Sequence, residues 1–122
     1  PLVPFYAAIE AGGKSIMTTH IMFPALDKEY PGTLSGAVLS ALLRGKMRYG
    51  GIIITDCLEM GAIASRYGAA GADMPLISHS YNEAARAAEL IGRAIERGEM
   101  NMPEHNAALG RIAGAKEWLS MQ

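Results

Sequence analysis

The chain has 122 residues, half of them apolar, with 11 Lys and Arg against 12 Asp and Glu. That balance, without any basic run, excludes a charge-built nucleic-acid surface, and no apolar stretch is long enough to cross a membrane. A single cysteine, Cys57, excludes an internal disulfide; with no basic flank at Pro1-Leu2-Val3-Pro4, a cytoplasmic protein of one small domain is expected.

Taken in chain order, Pro4 opens a short helix that Gly12-Gly13 stops. Lys14 to Ile21 reads as a buried strand. A loop of turn formers follows, with Phe23-Pro24-Ala25 and Tyr30-Pro31-Gly32. Ser35 is the expected N-cap of a helix whose apolar stripe is Val38, Leu39, Leu42, Leu43 and Met47. Ile52-Ile53-Ile54-Thr55 is a β-branched run suited to a strand buried on both faces, as in a parallel sheet.

A helix is expected from Cys57 to about Tyr67, then a third strand from Met74 to His79. Pro75 counts against a central position for that strand unless it sits at its start. Asn82 to Arg97 is a long helix, with Ala84, Ala88, Ile91 and Ile95 on one side and Glu89 four residues before Arg93. Pro103 opens the last helix, with Leu109, Ile112, Ala115 and Leu119 on one face. Strands alternating with helices at this spacing predict right-handed βαβ units, an α/β fold with about three parallel strands.

Ligands of parallel α/β folds bind at the carboxyl ends of the strands. His20, Asp56 and His79 each end one predicted strand. Asp56 has two readings. As a strand-end carboxylate it is a nucleophile or general base. As a helix N-cap it heads Asp56-Cys57-Leu58-Glu59, a fair capping box. One residue can serve both roles. His20 and His79 are candidate substrate ligands that also fit a structural role, with Ser78 and Ser80 as hydrogen-bond partners for His79. His105 sits among polar residues of the last helix and reads as solvated. No two histidines take a metal-binding spacing, so no metal is expected. No cofactor motif occurs: Walker A and G-x-G-x-x-G are absent, as is the G-x-S-x-G elbow. Cys57 reads as a packing residue.

Several stretches carry a resemblance. Pro4-Phe5, Ala8-Ile9 and Ala11-Gly12 are similar to the P-F-x-x-A-I-x-A-G stretch of bacterial hexosaminidases of glycoside hydrolase family 3. Ile16-Met17-Thr18-Thr19-His20 resembles their I-M-x-x-H strand, and Phe23 to Asp27 and Pro31 to Ser35 follow in family order. Gly51 to Met60 matches G-x-I-x-T-D-x-x-x-M, and Ala70-Gly71-Ala72-Asp73 resembles the A-G-A-D before the last barrel strand.

The resemblance implies that residues 1–122 are the C-terminal portion of a (β/α)8 TIM barrel. It implies a retaining β-N-acetylhexosaminidase with Asp56 as nucleophile. His20, Met60 and His79 would line the sugar pocket, and the acid/base would come from a loop outside this chain. Expected partners are N-acetylglucosaminides, as in peptidoglycan recycling, and either the rest of the barrel or a second copy of the chain. The chain departs from the family after Tyr67, where Gly68 and Ala69 lead straight to Ala70-Gly71-Ala72-Asp73. That shortening keeps a second reading open, a non-catalytic remnant serving as a carbohydrate-binding or assembly module.

Overall fold

A computed structural model describes residues 2–58 and 71–121. Helix α1 (Val3–Glu10) has Pro4 in its first turn, as its fixed φ favours. Strand β1 (Ser15–Met17) follows, then a 3₁₀ turn (Gly32–Leu34) and helix α2 (Ala37–Lys46). Strands β2 (Ile52–Cys57) and β3 (Met74–Leu76) lead to helices α3 (Tyr81–Glu96) and α4 (Met102–Ser120). The three strands form one parallel sheet in the order β1-β2-β3, so the Ile-rich strand is central. That position explains the run of β-branched residues, which has neighbours on both sides.

The core lies on one face of the sheet. Leu39, Leu43, Met47 and Tyr49 pack with Ile53, and Tyr6, Ile9, Ile16 and Ala72 close around them. Ser35 starts α2 as expected, its Oγ accepting from the Val38 N–H at 3.1 Å. The helix winds with wide π-type turns, and its end donates from the Met47 N–H to the Leu42 carbonyl. Arg48 then takes a left-handed φ of 52°.

Three boundaries differ from expectation. Strand β1 is shorter than Lys14–Ile21 because the chain beyond Thr18 changes partner. The Thr19 and Ile21 carbonyls accept from the Thr33 and Gly32 N–H groups, drawing the segment toward the 3₁₀ turn. Cys57 ends β2 instead of opening a helix. It pairs with Leu76, and the Leu58 N–H extends the ladder to the Leu76 carbonyl. The remainder of the helix expected to Tyr67, and the shortening at Gly68, lie outside the described residues. Strand β3 stops at Leu76, and Ser80 caps α3 by accepting from the Glu83 N–H.

Among the described residues β3 pairs only with β2, and Pro75 falls where that pairing is irregular, a place that tolerates a missing N–H. Its pairing is irregular: Ile54 faces Met74 and Cys57 faces Leu76. Thr55 and Asp56 on β2 therefore oppose Pro75 alone, the two-against-one count of a β-bulge. Proline has no N–H to give the ladder. The bulge also frees the Leu76 N–H, which donates to Thr55 Oγ1 at 3.0 Å.

Helix α4 turns inward only part of the stripe its sequence suggests. Leu109 and Leu119 are exposed, while His105, Ala108, Arg111, Ile112 and Ala115 are half-buried. Arg111 is the reason. It reaches the Asp73 side chain, which is only 1% exposed. In α3, Ala84, Ile91 and Ile95 are half-buried but Ala88 is exposed. Arg93 and Glu89 pair as expected at 2.5 Å, fully at the surface.

Candidate active site

Asp56 stands on the last turns of pleat of β2, at the carboxyl end of the sheet, and is exposed. Strand alternation places it on the side of Ile52 and Ile54, opposite Ile53, which is buried against α2. The carboxylate is held from its own backbone: Oδ1 accepts from the Cys57 N–H at 2.8 Å. Oδ2 bonds to none of the described residues, so one oxygen is open to a ligand. The contact to Cys57 takes the place of the capping bond that the sequence suggests, and Glu59, the other half of that capping box, lies outside the described residues.

His20 comes to the same strand end from the loop after β1. Its Nε2 lies 2.9 Å from the Cys57 carbonyl oxygen, to which it donates. The ring is thereby fixed in orientation while remaining exposed. His79 approaches from the other side. Its Nδ1 is 3.0 Å from Ser78 Oγ and 3.9 Å from Cys57 Sγ, and Ser78 Oγ is 3.1 Å from the same sulfur. Two histidines from flanking loops thus converge on the residue that follows Asp56. Met60 lies outside the described residues.

Sequence reasoning missed part of this arrangement. Cys57 is no simple packing residue: its backbone and sulfur both hold the rim together. Ser78 binds His79, whereas Ser80 serves α3. The alternation of apolar and polar residues carried no signal for a sulfur-centred contact across 21 positions.

The support beneath the rim was also unread. Asp73 Oδ2 accepts from Arg44 at 2.6 Å and from the Ile53 N–H at 2.9 Å, and Asp73 Oδ1 accepts from Arg111 at 2.6 Å. Arg44 also donates to the Tyr49 and Gly51 carbonyls. One buried carboxylate ties α2, α4 and the amino end of the β2–β3 pair. Burial pulls the Arg44 guanidinium below its ordinary pKa, against the opposing pull of Asp73, and burial raises the Tyr49 phenol. Among the described residues no group of three or more His, Cys, Asp or Glu could hold a metal. No helix among them is long and apolar enough to cross a membrane.

The arrangement can be set beside known proteins. The profile of the glycosyl hydrolase family 3 N terminal domain matches residues 1–115. A beta-hexosaminidase of Xanthomonas oryzae pv. oryzae (strain MAFF 311018) is 31% identical, over 96% of this chain and 35% of that protein. An uncharacterized secreted glycosyl hydrolase of Arthroderma benhamiae is also 31% identical, over 97% of this chain and 36% of its own length. The chain thus spans about a third of the curated relatives it matches. Among solved structures, a glycoside hydrolase family 3 beta-N-acetylglucosaminidase from Paenibacillus sp. str. FPU-7 superposes with a TM-score of 0.89 at 37% identity, covering 95% of this chain and 24% of that one. The beta-N-acetylhexosaminidase from Beutenbergia cavernae DSM 12333 gives 0.87 at 25% identity, covering 95% and 37%. The three parallel strands and their helices are accordingly a portion of a TIM-barrel-type fold. From its first residues to the middle of α4, the chain belongs to glycoside hydrolase family 3, on the side of its β-N-acetylhexosaminidases.

Proposed function

We propose that the protein carrying this chain is a retaining glycosidase that removes terminal β-N-acetylglucosamine, with Asp56 as its nucleophile. The observation that carries this reading is an exposed carboxylate with one unengaged oxygen at the carboxyl end of a central parallel strand. Retaining hydrolysis asks for such a group about 5 Å from a proton donor across the scissile bond. Asp56 attacks C1 of the sugar, and the bond to the leaving oxygen breaks as the donor protonates it. Water then hydrolyses the glycosyl-enzyme, giving its proton to the same donor, now a base. The donor is supplied from outside this chain. In this reading His20 and His79, which both contact Cys57 beside the carboxylate, line the pyranose pocket, and Met60 is assigned to it on the family resemblance. Beta-hexosaminidases and beta-N-acetylglucosaminidases among the relatives support the substrate class.

Asp56→Asn in the intact protein keeps the side chain's size and its bond to Cys57 but removes the nucleophile. Turnover of a chromogenic N-acetylglucosaminide should fall about a thousandfold or more, with the melting curve unchanged. Normal turnover in a correctly folded variant would refute the assignment.

A further inference from the structure

The end of the sheet away from Asp56 carries a cavity of about 470 Å³, formed by residues at the starts of β1 and β2 and by the inner side of α4. Its charged lining is Lys14, Arg48 and Arg111, and none of the residues that line it is an Asp or Glu. Arg111 is bound to Asp73, but that carboxylate also serves Arg44, so the trio keeps a net positive charge. Lys14 and Arg48 form no ion pair with any described residue. Lys14 Nζ instead stands over the Trp118 ring, 5.3 Å from its centroid, and Trp118 is itself part of the wall. Two cations without a carboxylate partner, facing one concavity beside a third that shares its own, are the electrostatic mark of an anion site.

Arg48 strengthens the case from the backbone. It is the one non-glycine residue with positive φ among the described residues. It follows α2 where glycine or asparagine is the unstrained choice. An L side chain kept in that conformation points to a use for the side chain. At Gly12 and Gly50 on the rim, a Cβ would meet nothing within 4 Å, so the entrance is open to a ligand.

We propose that this cavity binds a phosphoryl group through Lys14, Arg48 and Arg111. The Arg48 guanidinium can pair two phosphoryl oxygens, Arg111 adds the N–H groups its bonds to Asp73 leave over, and the ammonium supplies a point charge. A carboxylate, with two oxygens and one charge, would leave this donor set half used. The cavity is larger than a phosphoryl group, so either inorganic phosphate or a small phosphate ester can fill it. The site is independent of the assignment of Asp56, which lies at the other end of the strands.

Isothermal titration calorimetry on the intact protein tests this with inorganic phosphate, glycerol phosphate and neutral glycerol. Saturable binding of the two phosphates and none of glycerol is expected. Tighter binding of the ester identifies an ester as the ligand, and equal binding identifies free phosphate. Lys14→Gln and Arg48→Gly should each weaken phosphate binding about tenfold or more. Arg48→Gly relieves the backbone and so preserves the fold. Hydrolysis of a chromogenic glycoside should be unchanged in both. No saturable phosphate binding, or binding indifferent to both substitutions, overturns the proposal.

Discussion

Thr55 shows how one side chain reconciles the sheet with the site. Its hydroxyl is fully buried and accepts the Leu76 N–H that the bulge at Pro75 leaves without a ladder partner. Thr55→Val keeps the shape and removes the acceptor. A buried unsatisfied amide costs about 1–3 kcal/mol, so the urea midpoint of the intact protein should fall accordingly. A stability equal to wild type would mean that the amide finds another acceptor. Asp27 acts similarly in the loop before α2. Its carboxylate is held below the ordinary value of 3.8 by the Ser35 hydroxyl first, then by the Glu29 and Tyr30 N–H groups. A depressed folded pKa contributes stability that is full above 3.8 and lost as pH falls through the folded value. Ser35→Ala should raise the Asp27 pKa in a carbon-detected carboxylate titration, and narrow the acid range over which the loop stays ordered. No change would assign the depression to the two amides.

At the scale of elements, the sheet's fidelity depends on Asp73. Arg44 and Arg111 approach it from helices 29 and 38 positions away, and their side chains are only 20% and 24% exposed. Asp73→Asn leaves two largely desolvated guanidiniums without their counter-charge. Breaking a buried pair in this way typically costs about 3–5 kcal/mol. Denaturation of the variant should show a loss of that order, with Arg44→Met in the same background restoring part of it. Additive losses would place the two residues in separate networks. The order of the described helices and strands was legible in the sequence, because the stripe of α2 has a helical period and the short Ile52–Thr55 run is β-branched and bounded by Gly50-Gly51. Strand ends were not. Whether residues 19–21 continue β1 depends on a segment more than ten positions later that captures their carbonyls. The inward face of α4 was read only in part, for a related reason: the ion pair to Asp73 draws in the side that carries Arg111, with Ile112 and Ala115 but without Leu109 and Leu119, and periodicity is blind to a charged partner.

For the whole molecule, the rim was readable and its foundation was not. His20, Asp56 and His79 were marked by a simple rule, polar residues where apolar strands end, and the structure gathers all three around Cys57. Asp73 was marked only as the end of Ala70-Gly71-Ala72-Asp73, and nothing in that stretch announces its partners Arg44 and Arg111. Among the described residues the sheet leaves β1 and β3 as edges, and large apolar side chains such as Met17, Ile21 and Phe5 are exposed. Unpaired edges and apolar surface favour association. The 122 residues expressed alone should therefore elute above monomer size or aggregate, by light scattering coupled to size exclusion. A stable, inactive monomer would show that these surfaces need no cover.

The mismatch opposite Pro75 has a final consequence. Deleting Thr55 would leave one residue facing one, and the two strands would match in length at last. It would also rotate every residue beyond the cut by half a period. Asp56 would inherit the buried slot behind the sheet, and its carboxylate would face α2 where water and sugar cannot go. A tidier ladder would thus be a blind one: an imperfection one residue long keeps the carboxylate looking outward.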